Sequence, residues 1–106
     1  MKVLIVEKDK EPYPKNIPNN LDRLRKILKD EEIEVVEYKD VLLIYNENGL
    51  RKNIPINRYI NEKAIRGIFI FSGNDTKNMD FKDLTEEQIE NLIKEFSLEQ
   101  EVELDI

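Results

Sequence analysis

Cysteine and histidine are both absent from the 106 residues. That removes a disulfide framework, a Cys/His zinc site, a thiolate nucleophile and an imidazole base together. Catalysis would have to rest on carboxylates, lysine, tyrosine or serine. No set of these matches a known mechanism, so the reading leans away from an enzyme and implies no cofactor. Long apolar runs are missing too. The opening residues 1–7 are too short a stretch for a signal peptide, and nothing approaches the roughly 20 residues that span a bilayer, which points to a cytoplasmic protein with no membrane partner. An excess of positive charge is also lacking. With 17 Lys and Arg against 23 Asp and Glu, the net charge is −6, which opposes phosphate backbones and excludes direct duplex binding. Glycine patterns for phosphate are missing as well: Gly67 and Gly73 lack G-x-G-x-x-G spacing, and Gly73-Asn74-Asp75-Thr76 lacks the Lys-Ser/Thr of a P-loop.

What is present suits one compact domain over residues 1–106, with 40% hydrophobic and 38% charged residues. Val3-Leu4-Ile5-Val6 reads as a buried strand, and Pro12, Pro14 and Pro18 make the following stretch an extended connection. A helix then starts at Asn20 or Asn19 as N-cap, with Leu21, Leu24, Ile27 and Leu28 on one face and Arg23, Arg25, Lys26 and Lys29 on the other. Residues 33–38 and 41–45 form a hairpin around Lys39-Asp40. Asn46-Glu47-Asn48-Gly49 is a turn, with Gly49 expected to supply a positive φ. Residues 53–60 suit a short extended piece and one helical turn, since Pro55 opposes a central strand. Residues 68–71 form a strand ended by Ser72-Gly73. Thr85 and Gln88 mark a capping box, Leu84 and Ile89 a hydrophobic staple, and Ile89, Leu92, Ile93 and Phe96 an apolar helix face. The tail alternates Val102, Leu104 and Ile106 with Glu101, Glu103 and Asp105, as an edge strand does.

The order βαβββα(β) predicts a two-layer α+β domain with a four- or five-stranded sheet and both helices on one face. The strands are apolar at consecutive positions, so both faces of the sheet want cover. Either the polar connections fold over the second face, or another copy or a partner does. A homodimer is one expectation that follows.

Four stretches carry a resemblance: Asn46-Glu47-Asn48-Gly49, Ile54-Pro55-Ile56-Asn57-Arg58, Gly67-Ile68-Phe69-Ile70-Phe71-Ser72-Gly73 and Leu84-Thr85-Glu86-Glu87-Gln88-Ile89. With the opening strand and Lys10-Glu11-Pro12-Tyr13, they resemble a domain family of unknown function among small phage and mobile-element proteins of low-GC Gram-positive bacteria. The likeness covers residues 1–96 and leaves 97–106 as an acidic edge strand or tail. It departs between Arg58 and Gly67, where relatives often carry a longer loop. What the resemblance implies is context: an accessory protein acting on a host protein, such as a defence component.

Asn57 and Arg58 are the first candidate ligand residues, since arginine clamps a carboxylate or phosphate and an adjacent asparagine reads an amide or base edge; Asn53 and Asn46 lie in the same polar segment. The same residues equally suit a structural tie from an irregular segment to the sheet. Asn46-x-Asn48-Gly49 lacks the acid that a calcium loop needs at Ile44 and the glutamate it needs at Pro55, so no metal is expected. The acids Asp30-Glu31-Glu32 and Glu86-Glu87 read as solvent-facing helix ends with ordinary pKa values. Glu101, Glu103 and Asp105 are candidate partner-binding residues: their spacing of roughly 7 Å in a strand fits mimicry of a nucleic-acid strand, and also simple protection of an edge. The leading function is therefore a non-enzymatic binding protein. The alternative is a binder of a nucleotide-like anion through Arg58 and Asn57.

Overall fold

The computed structural model describes residues 1–98. In chain order the described elements are the strands Lys2–Val6 (β1) and Tyr13–Asn16 (β2), the helix Leu21–Leu28 (α1), the strands Ile33–Tyr38 (β3), Val41–Asn46 (β4), Ile56–Ile60 (β5), Lys63–Arg66 (β6), Phe69–Asp75 (β7) and Asp80–Lys82 (β8), and the helix Glu86–Glu95 (α2). The expected strand after Phe96, and with it Glu101, Glu103 and Asp105, lies outside the described residues.

The main sheet runs β2-β1-β7-β4-β3, with β8 also paired to β7, and β5-β6 forms a separate two-stranded sheet. Every pairing is antiparallel. The domain is α+β, but eight described strands replace the four or five expected. The added ones are β2, β5, β6 and β8, where an extended connection, a helical turn and loops were read. Their residues are short, polar or proline-bearing, so their pairing comes from backbone ladders with remote partners and leaves little trace in the sequence. The strand expected to end at Ser72-Gly73 continues as β7 to Asp75, because Gly73, Asn74 and Asp75 pair with β8. Gly73 is needed for space. A Cβ there would lie 2.4 Å from the Asp83 carbonyl oxygen.

Both helices were expected on one face, and the structure places them on opposite faces. Leu24 and Leu28 of α1 pack with Val3, Ile5, Ile17, Ile44 and Ile70. Ile89, Leu92 and Phe96 pack with Leu4, Val6, Val41, Leu43, Phe69 and Phe71 on the other side, where Ile60 and Ile65 of the β5-β6 hairpin join them. The consecutive apolar residues of β1, β4 and β7 explain the arrangement, since alternate side chains point to opposite faces and each face needs its own cover. On the α2 side the cover is broad, from a ten-residue helix and a hairpin. On the α1 side it is one helix of eight residues and Ile17, just beyond β2.

Local signals explain the rest. Asn20 is the N-cap of α1, its side chain accepting from Arg23 N at 2.7 Å. The Thr85–Gln88 capping box closes in both directions at 3.1 and 2.9 Å. The β3-β4 turn forms without glycine because Lys39 itself takes φ 55°. After β4 the positive φ falls on Asn53, at 56°, and not on Gly49, where a Cβ would lie 2.8 Å from Arg66 Cβ.

Candidate functional site

Cross-strand register continues the α1-side face beyond the reach of α1. Val35 stands opposite Ile44, Glu37 opposite Leu42 and Leu42 opposite Ser72, while Phe81 stands opposite Asn74. Residues paired in this way share a face. Leu21, at the start of the helix, and Met79, in the turn between β7 and β8, close the sides of a groove of about 840 Å³, within the range of binding sites. Leu21 is 45% exposed, Val35 39% and Met79 92%. The turn carrying Met79 is pinned: Asp75 accepts from Asn78 N at 3.2 Å and from Asn78 Nδ2 at 2.9 Å, bonds that hold its carboxyl below the usual range. An apolar side chain is thus presented to water on a fixed backbone. The charged residues lining the groove are Glu37 and Asp80, with no lysine or arginine among them. Chemically, the surface offers an apolar floor with an acidic rim.

Asn57 and Arg58 sit on the opposite side of the sheet, where the β5-β6 hairpin meets α2. Asn57 Nδ2 donates to the Val6 and Gly67 carbonyls, both at 2.9 Å. Arg58 donates through Nε and a terminal nitrogen to the Phe96 carbonyl at the end of α2, at 3.2 and 3.1 Å, and also to the Lys10 carbonyl at 2.9 Å and to Asn57 Oδ1 at 2.7 Å. A positive group on the last carbonyl of a helix also suits the helix dipole. These bonds join β1, the loop after it, the hairpin and α2. Beside them Tyr38 donates to Glu95 Oε2 at 2.6 Å and Lys39 pairs with Oε1 of the same carboxylate; burial, chiefly, and this bond raise the tyrosine pKa.

Both regions fall within residues 1–97, which match the family model described as Domain of unknown function (DUF3846). The chain belongs to this family. No curated protein and no solved structure matches it. The DUF3846 match takes in Asn46, Asn53, Asn57 and Arg58 and ends before Glu101, Glu103 and Asp105.

Within the DUF3846 domain the four polar candidates are not gathered into one site. Asn57 and Arg58 line a groove with Tyr38 and Glu95, whereas Asn46 lines another with Glu34, Lys63 and Arg66. Asn46 is buried, and its Oδ1 accepts from Asn48 N at 2.7 Å. Its Nδ2 has no hydrogen-bond partner among the described residues. Asn53 is exposed, its N–H bonded to the Leu50 carbonyl. One acid departs from expectation. Asp30 is buried and pairs with Lys52 at 3.0 Å; the Glu32 N–H, at 3.0 Å, and then that lysine hold its carboxyl below the usual range. Among the described residues no group of three or more His, Cys, Asp or Glu is placed to hold a metal, and no helix is long and apolar enough to cross a membrane.

Sequence reasoning missed the groove because its residues come from five separate elements and form no motif. Val35 and Leu42 read as ordinary strand core. The one local signal was Met79, an apolar residue in the polar turn Lys77-Asn78-Met79-Asp80.

Proposed function

We propose that this domain is a non-enzymatic binding protein that holds a protein partner in the α1-side groove. In the setting that the resemblance implies, it is an accessory protein of a phage or mobile element, and the partner is a host protein. The observation that supports this reading is the contiguous apolar surface of Leu21, Val35, Leu42, Met79 and Phe81, three of them exposed, bordered by asparagines and threonine and with acids as its only charged lining residues. Exposed apolar patches with polar borders are the usual mark of a protein contact. A nucleotide-like anion finds less support, because the groove lacks a positive group and the Arg58 guanidinium is engaged by the Phe96 and Lys10 carbonyls and by Asn57.

The test is site-specific photo-crosslinking in a low-GC Gram-positive host, with the photoreactive residue placed at Met79, at Val35, or, as a control outside the groove, at the exposed Leu50. One and the same host protein is expected from Met79 and Val35 and not from Leu50. Its yield falls at least about tenfold on adding Leu21→Lys, as loss of a central apolar contact does. Equal labelling from Leu50, or labelling indifferent to Leu21→Lys, overturns the reading.

A further inference from the structure

The row β2-β1-β7-β4-β3 ends in β2 on one side and in β3 on the other, and these two edges differ. At β2 the edge is four residues long and carries Pro14 and Lys15, both of which discourage another strand from adding. At β3 it is six residues long, Ile-Glu-Val-Val-Glu-Tyr, with neither proline nor lysine. Among the described residues no strand pairs with its outer side.

The register shows which backbone groups face outward there. Ile33 stands opposite Asn46, so continuing the ladder by one residue sets Glu32 opposite Glu47, and the Glu47 N–H donates to the Glu32 carbonyl at 3.3 Å. Opposed residues in an antiparallel ladder exchange hydrogen bonds at every second pair. Glu34, Val36 and Tyr38 therefore bond to β4, while Ile33, Val35 and Glu37 direct N–H and C=O away from it. The side chains of these three lie on the α1 side, and Val35 and Glu37 line the groove. The open edge and the groove are one continuous surface.

Charge selects the occupant. Residues 31–38 contain Glu31, Glu32, Glu34 and Glu37 and no lysine or arginine; Lys63 and Arg66, which line the groove beside Glu34, donate instead to the Tyr45 hydroxyl and the Ile54 carbonyl. Two copies paired along β3 would crowd these carboxylates into one ribbon, whereas a strand bearing lysine or arginine is attracted to them. We propose that the partner adds a β-strand to the outer edge of β3, its backbone bonded to Ile33, Val35 and Glu37. Its apolar side chains extend the groove beside Val35, and its basic side chains lie on the other face beside Glu34. Strand addition of this kind draws affinity from the backbone and specificity from alternate side chains. The inference rests on the groove reading above and specifies how the partner sits in it.

The probe is a blocked peptide, Lys-Val-Lys-Val-Lys-Val-Lys, compared with a version carrying glutamate for lysine and one carrying proline at the central valine. The readout is amide exchange by NMR together with affinity by titration. The lysine peptide is expected to slow exchange at Ile33, Val35 and Glu37 by at least about tenfold, as amides newly bonded in a ladder do. Val35→Pro removes the outward N–H, which an edge strand tolerates, together with the valine side chain, so it is read against Val35→Ala, which keeps the N–H; the proline variant is expected to bind about tenfold more weakly than the alanine one. Glu34→Lys weakens the lysine peptide and admits the glutamate one. Binding that leaves those three amides unprotected, or that is equally strong with the proline peptide, overturns strand addition. So does self-association that protects the same amides without peptide, since a second copy is then the occupant. If strand addition fails while Leu21→Lys still abolishes crosslinking from Met79, the groove reading stands; if both fail, neither does.

Discussion

Asn57 shows how one side chain can hold a fold in register. Its amide bridges the carbonyl at the end of β1 and that of Gly67, two backbone groups far apart in sequence. Asn57→Ala is expected to cost about 2 kcal/mol, the loss of two partly buried hydrogen bonds with acceptors left behind, measured by urea denaturation. A change below about 0.5 kcal/mol, the ordinary size for a surface substitution, would mean that water replaces the amide. Asp30 makes a pH-dependent contribution. Its carboxyl is held below the usual range by the Glu32 N–H and Lys52, so the folded state prefers the ionised form more than the unfolded chain does. The resulting stability is present above the unfolded value of about 3.9 and is lost as pH falls through the lower folded value. Asp30→Asn should therefore lower stability at neutral pH and flatten the acid limb of the stability curve below about pH 4, followed by thermal melts across pH. An unchanged acid limb would remove Asp30 from that response.

At the scale of elements, the capping box of α2 predicts that Thr85→Ala costs about 1 kcal/mol, read by chemical denaturation; a change within error would show that water satisfies the helix end equally well. This element was legible because its signals are local: Thr85, Gln88, Leu84 and Ile89 all lie within one turn and the residue before it. Asn20 and the β3-β4 hairpin were legible for the same reason. What could not be read depends on distant partners. β8 is a strand only because Gly73, Asn74 and Asp75 pair with it, and β5 is one although Pro55 precedes it, since the proline sits just outside the paired residues. The choice of opposite faces for α1 and α2 is likewise invisible locally, because either helix fits either apolar face. Arg58 stands out in the sequence as a residue with strong donors, but its sequence neighbours give no sign that Lys10 and Phe96 receive them.

On the scale of the whole molecule, β7 organises the sheet. One of its edges pairs with β4, and the other is shared between β1 along Phe69, Ile70 and Phe71 and β8 along Gly73, Asn74 and Asp75. Its buried side chains serve both clusters. The amides of β7 and the inner amides of β1 and β4 are therefore expected to exchange only through global unfolding, and those of the β5-β6 hairpin through smaller openings, in native-state hydrogen exchange. A hairpin as protected as β7 would indicate a single cooperative unit with no weaker part.

The pairing of β1 with β7 also sets an order of events during synthesis. Leu4 leaves the ribosome 67 residues ahead of Phe71, the residue it stands beside in the finished sheet, an interval of about 3 to 13 s at ordinary elongation rates. Of the two strands that pair with β1 only β2, a few residues downstream, is at hand meanwhile, and it pairs along the other edge of β1. The nascent chain thus carries an apolar strand with one edge satisfied and the other waiting, so early association with a chaperone, or with another nascent copy, is decided in that interval.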